Sequence, residues 1–117
     1  MKTQLYNEAK QFCEQSHNLI NEQNTTIKNY IDAVSNIMTS VGFIYLQGED
    51  LLSTFAMYVE GMVQKEGRDI NNKQIVAEWI SIATKAFLQS CNTHGINSEY
   101  TYDELFIEVY VRYFENK

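Results

Sequence analysis

The stretch TYDELFIEVYVRYF, residues 101–114, decides how this chain is read. It is the densest aromatic and β-branched run in the sequence, and it carries three of the fifteen acidic residues. Thr101-x-x-Glu104 is a capping box: the Thr hydroxyl accepts from the third helical N–H, and the Glu carboxylate reaches back to the Thr N–H. That chemistry starts a helix. As a helix, the run is apolar on two sides. Leu105, Phe106, Val109 and Tyr113 share one face with Tyr102, while Ile107, Val111 and Phe114 form a line roughly opposite. Glu104, Glu108 and Glu115 lie between that line and Arg112. A strand is the competing pattern, because IEVYVRY is rich in β-formers and alternation would put Ile107, Val109, Val111 and Tyr113 on one side. A strand needs a partner, and only FIYL at 43–46 offers one. The expected fold is therefore all-α, a compact bundle of four to five helices with short loops. The alternative is α+β, with a short strand pair 43–46/106–113.

Four amphipathic segments precede this stretch. In the first, about 3–22, Leu5, Ala9, Phe12, Ser16 and Leu19 fall on one line with Glu8, Gln11, Gln15 and Asn18 opposite, and Thr3 is a candidate cap. Gln23-Asn24 is a polar break. The second segment starts at Asn24, Thr25 or Thr26 and carries Ile27, Tyr30, Ile31, Val34, Ile37, Met38 and Val41 at helical spacing, with Gly42 as its stop. Phe43–Leu46 either extends that helix or forms a short extended piece. The third follows Gly48, with Glu49 and Asp50 suited to the positive end of the helix dipole and a stripe of Leu52, Phe55, Val59, Met62 and Val63. Gly67 is its stop. Gly61 lies inside it at a cost of about 1 kcal/mol relative to Ala, which a close helix–helix approach would explain. The fourth is capped by Asn71 with Gln74, shows Val76, Trp79, Ile80, Ala83, Ala86 and Phe87 on one stripe, and ends at Gly95. The 117 residues read as a single helical domain.

Composition narrows the function. With a net charge of −6 and nine scattered basic residues, direct nucleic-acid binding is disfavoured, because that binding rests on phosphate neutralisation. No apolar run approaches the ~20 residues of a membrane span, and the N-terminus lacks a signal-peptide pattern. A cytoplasmic location is expected, in keeping with two cysteines and no disulfide framework. No G-x-S-x-G, P-loop, G-x-G-x-x-G or H-E-x-x-H occurs, so no enzyme and no cofactor is expected. The paired carboxylates at Glu49-Asp50 and Asp103-Glu104 are explained by first-turn positions.

Cys13 and His17, and Cys91 and His94, each fall on one helical face, and together they could form a Cys2His2 site between the first and fourth segments. The plainer expectation is no metal, with both cysteines as small core residues.

Eight tyrosines exceed what such a core needs, and three of them, Tyr100, Tyr102 and Tyr110, lie among carboxylates. The expected role is that of a small acidic inhibitor binding a basic protein such as a toxin or nuclease, as an immunity protein or a phage-type anti-defence inhibitor does. Glu99, Asp103, Glu104 and Glu108 would attract, and Tyr100, Tyr102, Ile107 and Val111 would anchor. The alternative is a self-associating helical adaptor, a homodimer closing over Ile107, Val111 and Phe114.

Overall fold

The computed structural model describes residues 2–21 and 24–117. Glu22, the expected end of the first segment, and Gln23 of the polar break lie outside them. The elements are α1 (Lys2–Asn21), α2 (Thr25–Ser40), a 3-10 turn (Phe43–Tyr45), α3 (Gly48–Lys65), α4 (Lys73–Thr93) and α5 (Tyr102–Glu115). There is no strand among the described residues, and the fold is an all-α bundle of five helices. The strand-pair alternative fails at both ends, since 43–45 coils into the 3-10 turn and 102–115 is helical.

Local chemistry sets the helix starts. Asn24 accepts from the N–H groups of Thr26 and Ile27 at the head of α2. Asn72 accepts from Ile75 N–H at the head of α4, one residue beyond the expected cap at Asn71. Thr101 accepts from Glu104 N–H at 3.2 Å and donates its own N–H to Glu104 at 2.9 Å, so both halves of the capping box form. Thr3 is not a cap, because α1 already runs from Lys2. Gly42 has φ +78°, a left-handed conformation that suits glycine, and lets α2 pass into the 3-10 turn without a linker.

The organising helix is α4, which packs against α1, α2, α3, α5 and the 3-10 turn. It buries its predicted stripe and also Ala77, Ser81, Ile82, Thr84, Ser90 and Cys91. Small side chains on the flanks of that stripe let neighbouring helices approach from several sides. Second in depth is α5, held between α1, α3 and α4. Leu105, Phe106, Val109, Tyr110, Val111 and Tyr113 are buried, Ile107 and Phe114 partly so.

The two ends of α5 are tied antiparallel to α1. Lys2 pairs with Glu115, Tyr6 OH donates to Glu108 at 2.9 Å, and Ser16 meets Tyr102 at 2.8 Å. Ser16 Oγ donates to the Cys13 carbonyl, so the Tyr102 hydroxyl is the donor of that last pair. Against α3, Arg112 grips both carboxylate oxygens of Glu49 at 2.7 and 2.8 Å and also reaches Glu108 at 2.5 Å.

Candidate functional site

The expected interface on α5 is largely taken up by the chain itself. Val111 is 0% exposed and cannot anchor a partner. Along the line Ile107/Val111/Phe114, Val111 is sealed in the core, and Ile107 and Phe114 are partly buried against it. Tyr102 is half-buried with its hydroxyl on Ser16, and burial pushes that phenol well above its usual range. Every expected carboxylate has an internal partner. Glu104 completes the capping box, Glu108 takes Tyr6 and Arg112, Glu99 accepts from Gly48 N–H at 2.8 Å, and Asp103 meets Cys13 and His17. Tyr100 is half-buried against the core edge.

Exposed apolar surface lies elsewhere. Ile37 is 45% exposed, Val41 63%, Tyr45 71% and Met57 72%. Ile37, Val41 and Met57 line one groove of about 730 Å³ between α2 and α3. Its walls include Tyr30, Ala33, Val34, Thr54, Tyr58 and Met62, and Phe43 and Trp79 also line it. Gly61 lines it too. A Cβ there would meet nothing within 4 Å, so no neighbouring helix approaches Gly61 closely and the expected packing reason is absent. Among the described residues, the charged ones on the groove wall are Lys65 and Glu66, together at the end of α3. A second depression, about 530 Å³, borders Lys28, Asp32, Lys85 and Gln89 and is more polar.

The groove was legible in part. Ile37 and Val41 fall on the α2 stripe, but their exposure depends on where α3 sits. Met57 lies off the α3 stripe, and an apolar residue on the polar side of a helix is the signal that could have found it.

The cysteine and histidine pairs separate. Cys13 and His17 converge on Asp103, with Sγ 3.4 Å and Nε2 2.8 Å from Asp103 Oδ1. Their ligand atoms all lie within 4.8 Å of one another. Cys91 and His94 are not part of that cluster. Cys91 is buried, and His94 Nδ1 lies 2.9 Å from the Ser90 carbonyl of its own helix end, so the Cys2His2 arrangement does not form. Burial first, then the hydrogen bond to Asp103, pushes the Cys13 thiol up to about 12. A thiol so raised stays protonated at neutral pH and is a poor nucleophile.

The chain matches no protein-family model, no curated protein and no solved structure. No helix among the described residues is long and apolar enough to cross a membrane.

Proposed function

We propose that this chain is a non-enzymatic binding protein that holds an apolar helix of a larger, basic protein in the groove between α2 and α3. One observation carries the proposal: Ile37, Val41 and Met57 are exposed together along a single apolar groove. Isolated exposed hydrophobics need no explanation, whereas a contiguous apolar patch marks an interaction surface. A trough flanked by two helices suits an amphipathic helix laying its apolar face inward. The net charge of −6 favours a basic partner through steering. It disfavours a second copy of the chain, which would carry the same net charge. The narrower proposal is inhibition by occlusion, as in an immunity protein against a toxin or nuclease or a phage-type anti-defence inhibitor. The net acidic charge of the chain then guides approach, and the groove supplies the anchor.

The test begins with sedimentation of the purified chain, where a monomer is expected. A concentration-dependent dimer that Met57→Glu dissociates would assign the groove to a second copy and sink the heterologous partner. A partner is next captured in parallel on the wild-type chain and on Met57→Glu, identified, and titrated in purified form. Expected are a negative heat-capacity change of binding, slower association at high salt, and an affinity loss of about tenfold or more in Met57→Glu. Unchanged affinity in that variant overturns the groove as the site.

A further inference from the structure

We propose that Cys13, His17 and Asp103 form a binding site for a divalent transition-metal ion of the zinc class. Two helices build it. Cys13 and His17 are four residues apart on α1, so their side chains leave one face of that helix. Asp103 is the second residue of α5, and the capping box at Thr101 fixes the turn that carries it. The antiparallel seam between α1 and α5 brings the three together. Two donors, the thiol S–H and the imidazole, converge on the same carboxylate oxygen, at 3.4 and 2.8 Å. A cation placed among the three groups replaces those hydrogen bonds with bonds from sulfur, nitrogen and oxygen. The His17 ring is braced by Tyr102, whose ring centroid is 5.0 Å away.

The donor set selects the metal class. One thiolate, one imidazole and one carboxylate suit zinc or cobalt, while a thiolate disfavours magnesium and calcium, which take oxygen ligands. On binding, the ion displaces the thiol proton to solvent, and His17 binds through Nε2 as a neutral imidazole that keeps one ring proton, on Nδ1. No oxidation state changes. Three protein donors leave one position open, which water fills. The bound ion would tie the middle of α1 to the start of α5. None of the three residues lines the α2–α3 groove, so the site stands apart from the proposed partner surface.

The test uses the tag-free chain, freed of metal with a chelator and titrated with cobalt(II) alone. Expected is a thiolate-to-cobalt charge-transfer absorption that saturates at one equivalent and is displaced by zinc. Cys13→Ser abolishes the band. His17→Gln and Asp103→Asn weaken cobalt binding by about tenfold or more. Cys91→Ser leaves it unchanged and controls for a nonspecific thiol. Absence of the band in the folded wild-type chain overturns the proposal, as does a band that survives in Cys13→Ser or is lost in Cys91→Ser. The wild-type measurement decides even where a variant fails to fold.

Discussion

Single residues show where the chain carries costs. Thr84 lies in the middle of α4 with no exposure, and its hydroxyl has no hydrogen-bond partner among the described residues. Thr39, Ser40 and Thr93 avoid this by donating to the carbonyl four residues back. Replacing Thr84 with Val removes the orphaned oxygen and keeps the shape. Thr84→Val is expected to leave stability unchanged or raise it by up to about 1–2 kcal/mol, read from the denaturant midpoint. A loss of stability would mean that the hydroxyl has a partner. Gly61 is a second cost. A helical glycine weakens α3, and the space above it is open. Gly61→Ala is expected to raise stability by up to about 1 kcal/mol. The weakness was readable in the sequence, but its expected cause was not the right one, because the empty space belongs to a groove that only tertiary packing creates.

At the scale of elements, α5 shows why a two-sided apolar helix is stable. Its second face is covered within the chain. Val111→Asp therefore buries an unpaired charge and is expected to unfold the protein. Met57→Asp on exposed α3 surface is expected to shift stability within about 0.5 kcal/mol. Thermal melts of the pair separate a core position from a surface one, and equal effects would contradict the buried position of α5. The capping box is worth its own check, with Thr101→Ala expected to cost about 1 kcal/mol.

Packing between α3 and α5 is supplemented by an ion pair. Hydrogen bonds from Arg112 hold the Glu49 carboxyl down at about 2, below its usual 4.5. Lys73 likewise depresses Glu8 on α1. A carboxylate whose folded value is depressed adds stability above its unfolded value and loses it as pH falls through the folded one. Stability should thus decline from about pH 5 towards about pH 2, with a shallower slope in Glu49→Gln. The effect is modest because Glu49 is exposed to solvent. An identical slope in the variant would show that the ion pair does not contribute.

At the scale of the whole molecule, the bundle packs four helices about α4 and leaves the seam between α2 and α3 open. α2 rests on α4 and the 3-10 turn, and the groove runs between it and α3. Trp79 of α4 and Phe43 of the turn contribute to the lining, so a partner helix would touch the same core that holds the fold together. Occupation of the groove is expected to raise the melting temperature with the logarithm of partner concentration over Kd. Thermal shift on adding the identified partner checks this, and a shift of equal size in Met57→Glu would place the partner elsewhere.

The structure removed the α+β alternative; by itself, the sequence pointed to an all-α bundle of four to five helices and to most helix boundaries. Those follow from short-range physics: the 3.6-residue period, Asn and Thr caps, the Thr101–Glu104 box and glycines at helix ends. The burial stripe of α5 at Leu105, Phe106, Val109 and Tyr113 was equally legible. Tertiary structure decided the rest, because it depends on which faces meet. Packing sealed Val111 inside and spent Glu104 and Glu108 on internal bonds. The same packing drew Asp103 to Cys13 and His17 and left Cys91 and His94 apart. It also opened the α2–α3 groove by holding two helices on α4 without closing them on each other. Periodicity gives the angle of each side chain around its own helix, and the neighbour on that side is set only when the helices pack.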